Sequence, residues 1–212
     1  MKKIFLTLLS SLLLVSLSAC SEQETKQVAR TAHHLYQKHQ RNTTRDNVQN
    51  NNPSIPQPDG KATFTTQELH RSRRGWIRYG RLDSQGRATA ANALITKNMI
   101  GKGSSANPNI RPAGFISGKA GHSRGHLIGR QLGGSGNTMR NLVTLYQNPV
   151  NTPYMTKYEN EVRDVVESGN PVRYRVTPVY KRGKKMPESV VIEAKTLYNN
   201  KLNYKVTIPN KQ

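Results

Sequence analysis

The sequence predicts an α+β domain built on an antiparallel β-sheet. Three observations carry this. Several short stretches have strand-like composition or alternation, one stretch carries a clear helical stripe, and the order along the chain is strands, helix, strands. Trp76–Tyr79 and residues 90–95 read as short ordered elements on either side of a turn at Asp83-Ser-Gln-Gly86. Residues 101–121 are rich in Gly, Asn and Pro and read as loop. Residues 126–128 and Leu142–Tyr146 read as strands. Over 153–167, Tyr154, Tyr158, Val162, Val165 and Val166 recur at helical spacing. Thr152 is placed to cap that helix with Pro153 in its first position, and Gly169 followed by Pro171 ends it. Residues 172–180 alternate apolar and polar side chains, and 189–194 and 204–208 supply two further strands.

The stretch ahead of this domain has a different character. Lys2 and Lys3 precede an apolar run from Ile4 to Leu17, too short and too abruptly ended for a spanning helix. The run closes on Leu17-Ser-Ala-Cys20, which resembles a bacterial lipobox and implies lipidation of Cys20 and a membrane anchor facing outside the cytoplasm. A plain secretory signal cut at Ala19, or an uncleaved anchor, is the alternative. Cys20 is the only cysteine, so no disulfide can form within the chain. Residues 21–60 are polar, include Gln49-Asn-Asn-Asn-Pro53, and read as a largely disordered tether, with a helix conceivable over 25–39. The compact domain is expected over 61–212, which is long enough for one core.

Charge narrows the function. The chain has 33 Lys+Arg against 12 Asp+Glu, a formal net charge of +21. Such an excess repels itself and implies a polyanionic partner: nucleic acid, anionic headgroups or acidic wall polymers. Between Leu69 and Tyr158 the only carboxylate is Asp83, so that stretch cannot supply the acid cluster of a two-metal nuclease. The histidines lack zinc-ligand spacing with other donors. Gly133-Gly-Ser-Gly136 lacks the Lys-Ser/Thr of a P-loop and reads as a flexible loop. A histidine in Gly121-His-Ser-Arg-Gly-His-Leu-Ile-Gly-Arg130 is the candidate base, because neutral imidazole can take a proton near neutral pH. Arg124 is a candidate for bidentate phosphate contacts.

Three spaced elements make the reading sharper. Ser123-Arg-Gly-His126, then Asn141-Leu-Val-Thr-Leu-Tyr-Gln-Asn-Pro-Val-Asn151, then Glu159 resemble the DNA/RNA non-specific endonucleases of the ββα-metal type. The resemblance covers roughly 76–194 and implies an antiparallel sheet carrying a ββα-metal motif. It implies DNA and/or RNA as substrate and Mg²⁺ as cofactor, with Mn²⁺ as a substitute. Carried over by position, it makes His126 the general base and Asn151 the sole protein ligand of the metal. Glu159, eight residues on, holds metal-bound waters, and Asn141 fixes geometry. Arg87 and Arg130, with Arg124, are assigned to phosphate. Ser123 stands where the family has aspartate, a change expected to leave activity intact.

Plainer roles stand beside these. Asn151 has the plainer reading of a turn or capping residue, and Glu159 that of a solvated helix charge. His122 is structural or near the substrate, and Arg173 and Arg175 either extend a phosphate track or form a solvated face. The alternative function is a non-catalytic nucleic-acid-binding surface lipoprotein, such as a DNA-uptake receptor on a degenerate nuclease fold. A third is a cationic wall- or membrane-associated protein whose charge serves adhesion. An inhibitor partner and the oligomeric state have no signature in the sequence.

Overall fold

In a computed structural model of the chain, residues 52–212 are described, except 71, 73, 119 and 120. The leader, Cys20 and nearly all of the expected tether lie outside the described residues. One compact unit spans Pro53–Gln212. Its ordered part starts upstream of the boundary expected at 61, because β1 (Gln57–Pro58) pairs with the last strand through Gln57↔Thr207 and Pro58↔Val206.

Two sheets and one helix build the unit. β2 (Trp76–Tyr79), β3 (Ala91–Ile95), β6 (Val172–Val179), β7 (Ser189–Thr196) and β8 (Asn203–Pro209) join β1 in a six-stranded antiparallel sheet of order β1-β8-β7-β6-β3-β2. β4 (His122–His126) and β5 (Leu142–Tyr146) form a separate two-stranded antiparallel sheet. After β5 the chain kinks through residues 147–155 and enters helix α1 (Thr156–Glu167). The order strand, strand, helix is that of the expected ββα motif.

Alternation places the core. Ala91, Ala93 and Ile95 of β3, Val172, Tyr174 and Val176 of β6, and Val190, Ile192 and Ala194 of β7 form one face of the large sheet, all buried. Leu127, Ile128, Val143, Leu145, Val162 and Val166 join the same cluster, so the small sheet and α1 cover that face. Burying this apolar area supplies the main stabilisation, about 25 cal/mol per Å².

The opposite face corrects one expectation. Arg173 and Arg175 alternate outward, as their spacing requires, but they do not face solvent. Arg173 is 4% exposed and donates to the Ala93 and Tyr174 carbonyls, while Arg175 pairs with Glu68 and Glu193, both at 2.7 Å. Phe64 lies over both guanidinium groups at 4.7 Å. These arginines fasten residues 63–68 across the sheet and are not a phosphate track.

Two element boundaries also move. The strand expected at 126–128 lies at His122–His126, starting four residues upstream and ending two upstream. The His-Ser-Arg-Gly-His stretch carries no apolar alternation, whereas Leu127 and Ile128 are core residues just past the strand. Regular helix begins at Thr156 and not 153. Thr152 has the extended backbone of a cap (φ −139°, ψ 124°), but the turn after it is wider than an α-turn. The far end follows the sequence: the Gly169 N–H donates to Val166 and that of Asn170 to Val165, a Schellman closure with Gly169 at φ 88°.

Candidate active site

His126 is the last residue of β4, opposite Leu142 of β5. The preceding Gly125 lies against the Leu145 side chain, whose Cδ1 a Cβ there would meet at 2.5 Å. Leu127 and Ile128 then plug the core and the chain turns through Arg130–Leu132. Residues 101–107 run beside 130–136: Gly101 donates to Gln131, Gly103 to Arg130, Ser104 to Gly134 and Asn107 to Gly136. Gly134 and Gly136 have no room for a Cβ against the Ile128 and Ser105 carbonyls, so the glycine stretch is a packed strut rather than the flexible loop expected.

That strut seats the histidine. Ser104 is fixed through its N–H and through Oγ, which accepts from the Gly136 N–H at 2.8 Å. Its carbonyl lies 3.0 Å from His126 Nε2. A carbonyl only accepts, so Nε2 carries the proton and Nδ1 keeps the lone pair. Burial lowers the His126 pKa below its ordinary 6.5, the Ser104 bond raises it in part, and nearby Arg130 lowers it further. The ring is therefore neutral at neutral pH, as a base must be.

Glu159 lies on the buried side of α1 and is 9% exposed. Gln131 Nε2 donates to its Oε2 at 3.3 Å, and Gly129 packs so closely on the carboxyl group that a Cβ there would displace it. Burial pushes its pKa up to about 7, against the lowering effect of the Gln131 and Gly129 hydrogen bonds. Arg163, one turn along, donates to Gln131 Oε1 at 3.0 Å and so turns the amide NH₂ toward Glu159. Glu159 is not a solvated helix charge.

Asn151 sits in the kinked segment, which packs against both β4 and β5. Its carbonyl accepts from Thr156 Oγ1 at 3.1 Å and its amide donates to Gln147 Oε1 at 3.2 Å. The side-chain Oδ1 has no partner among the described residues. An uncommitted amide oxygen is the kind of donor that suits a hard cation. Among the described residues no group of three or more His, Cys, Asp or Glu could hold a metal. An ion here would rest on Asn151 Oδ1 and keep most of its waters, with Glu159 as their acceptor.

The remaining expected residues divide. Asn141 is fully buried: its Oδ1 accepts from the Ile128 N–H, and its NH₂ donates to the Ile128 and Ser135 carbonyls. It clamps the turn after β4 and has no donor left for substrate. Arg130 is exposed beside His126, bonded to Ser105 Oγ at 3.1 Å. Arg124 is held elsewhere, donating to the Ile110 and Pro108 carbonyls at 2.7 Å and stacking 4.2 Å over Phe115. Arg87 pairs with Asp83 at 2.7 Å, donates to the Lys184 carbonyl and stacks on Tyr180. Both arginines tie loops in this arrangement. His122 is structural, its Nδ1 accepting from the Ile116 N–H and its ring packed on Tyr146. Ser123 Oγ donates to the Leu145 carbonyl at 3.2 Å.

Sequence reasoning missed Ser104, Gly129 and Gln131. Ser104 lay inside a segment read only as loop, and nothing in its local sequence marks it. Gly129 and Gln131 flank Arg130 next to the motif, where proximity was the one available signal.

Comparison with known proteins agrees with this fold. NucA from Streptococcus agalactiae, solved with magnesium bound, superposes with a TM-score of 0.63 at 24% identity, covering 73% of this chain and 77% of that one. Sda1 nuclease, solved with bound zinc, gives 0.64 at 20% identity over 76% and 91%. A structure described as an extracellular endonuclease gives 0.53 at 19% identity over 77% and 93%. At these identities the likeness is one of fold. Among curated proteins none matches the sequence significantly. The family model for DNA/RNA non-specific endonucleases matches residues 67–197, more than half of the chain. The protein belongs to the DNA/RNA non-specific endonuclease family.

Proposed function

We propose that the protein is a metal-dependent endonuclease that hydrolyses phosphodiester bonds of DNA and/or RNA without sequence preference. The observation that carries this is the bond between His126 Nε2 and the Ser104 carbonyl, which leaves Nδ1 as a neutral base. Nδ1 takes a proton from a water as its oxygen attacks phosphorus, and the bond to the 3′-oxygen breaks. Arg130, exposed beside the ring, binds non-bridging phosphate oxygens. Asn151 Oδ1 would hold a divalent cation of the Mg²⁺ class, and Glu159, aimed by the Gln131–Arg163 pair, would accept from its waters. Such a cation, when bound, stabilises charge on the phosphate and on the departing oxygen, and Mn²⁺ can replace it. Asn141 holds the turn that carries these groups. Arg87 and Arg124 support the surrounding loops and reach phosphate only if released from their present partners.

The leader and the Leu17-Ser-Ala-Cys20 sequence extend the proposal to an exported enzyme held to a membrane by lipid on Cys20, acting outside the cytoplasm. The test incubates purified protein with supercoiled plasmid in Mg²⁺, in EDTA and with His126→Ala. Cleavage abolished by both EDTA and the substitution is expected. Tight binding without cleavage of DNA or RNA, in Mg²⁺ or Mn²⁺, would overturn the enzyme in favour of a binding lipoprotein.

A further inference from the structure

The loop between β6 and β7 carries Lys181, Arg182, Lys184 and Lys185, four cations within five positions. All four are exposed. Lys181 pairs with Glu188 at 2.6 Å, and the other three have no ion pair among the described residues. Like charges this close repel, and a face that served only solubility would intersperse the two signs. The loop is nevertheless held in one shape. Lys184 closes a turn by donating to the Lys181 carbonyl, with Gly183 at φ 72°. Arg87 donates to the Lys184 carbonyl, Tyr180 Oη donates to that of Ala88, and Asn210 holds the Pro187 and Glu188 carbonyls. Backbone is fixed while the cationic ends stay uncommitted.

The loop also borders a cleft of about 350 Å³ lined by Gly114, Lys181, Lys184, Lys185, Met186 and Glu188. Gly114 closes on Met186 and Lys185 so tightly that a Cβ there would meet Lys185 Cβ at 3.2 Å. Gly114 belongs to the same loop whose Ser104 seats His126. Between the two points this loop is pinned by Arg124, at Pro108 and Ile110, and by Thr144 at Ala113. Exposed Arg111 lies on it as well. A pinned segment carrying the exposed Arg111 thus runs from the histidine toward the cleft.

We infer that the β6–β7 loop is a second phosphate-binding site, which grips the backbone of a long nucleic acid away from the bond being cut. The inference rests on the nuclease reading for its ligand. The cleft is too small for a folded partner and its lysines present point charges to a polyanion, which suits successive backbone phosphates.

The test compares purified wild type with an Arg182→Gln/Lys184→Gln/Lys185→Gln triple variant and a control triple, Lys61→Gln/Lys97→Gln/Lys201→Gln. Binding to a long duplex is measured in EDTA across a salt series. The loop triple is expected to weaken binding about tenfold or more near 0.1 M salt and to flatten the slope of log K against log salt by roughly 2 to 3. The control triple should change both much less. In Mg²⁺ the loop triple should slow cutting of long duplex while cutting a tetranucleotide at the wild-type rate. Equal effects of the two triples would overturn the site. Unchanged DNA affinity with lost adsorption to phosphatidylglycerol vesicles would overturn it too, assigning the loop to a membrane surface. Should wild type cut neither substrate while the loop triple still flattens the slope, the nuclease reading falls and the phosphate site stands.

Discussion

At His126 a single hydrogen bond frees one ring nitrogen for the proposed role of base, because the Ser104 carbonyl commits Nε2 to donation. Burial and Arg130 both disfavour the charged ring. The folded pKa is therefore depressed, and the active neutral form persists as pH falls until that lowered value is crossed. At saturating Mg²⁺, which favours ionised Glu159, the acid limb of kcat/KM is expected below pH 6.5, and Arg130→Gln should move it upward by removing a nearby cation. An acid limb above 6.5 in wild type would show that another group controls the rate. Asn141 and Asn151 illustrate the same dependence on surroundings. Both are asparagines, but one has its whole amide engaged in the interior and the other keeps an oxygen uncommitted.

Among the elements, the turn after β4 and helix α1 work as a pair. Glu159 is aimed from the helix into a space that Gly129 leaves by lacking a side chain. Gly129→Ala is expected to displace the carboxyl group and to lower stability by about 1–3 kcal/mol, the usual result of overpacking. Plasmid cleavage should fall more than the thermal midpoint does, since the displaced group is one the proposed reaction uses. Wild-type activity in a folded Gly129→Ala protein would remove Glu159 from the mechanism. The kink before α1 matters equally. It holds Asn151 ahead of the regular turns, where Thr156 fixes its carbonyl.

For the whole molecule, a net charge of +21 over few acids makes phosphate the natural partner. Contacts to backbone phosphate carry no sequence information, so weak sequence preference follows from the same surface. Affinity of the His126→Ala protein for duplex DNA is expected to fall by a factor of ~10³ or more between about 50 and 200 mM salt, as for six to ten phosphate contacts. A flat salt response would mean that the charge serves something other than nucleic acid. Not every cation takes part, because Arg173 and Arg175 are internal fasteners of the sheet.

The sequence by itself determined the α+β class, most of the strands of the large sheet, the closure of α1 at Gly169 and the identity of the motif residues. Each follows from local periodicity, from a backbone conformation or from a spacing that the chain states directly. It placed β4 four residues late because that strand is polar, and it sent Arg173 and Arg175 to solvent because alternation reveals which face a residue takes, not what covers that face. Only the tertiary structure decided that Ser104 sets the tautomer of His126, that Gln131 and Gly129 hold Glu159, and that Arg87 and Arg124 tie down loops. These pairings join residues 14 to 97 positions apart. Hydrogen bonds and packing form between neighbours in space, and the fold chooses those neighbours.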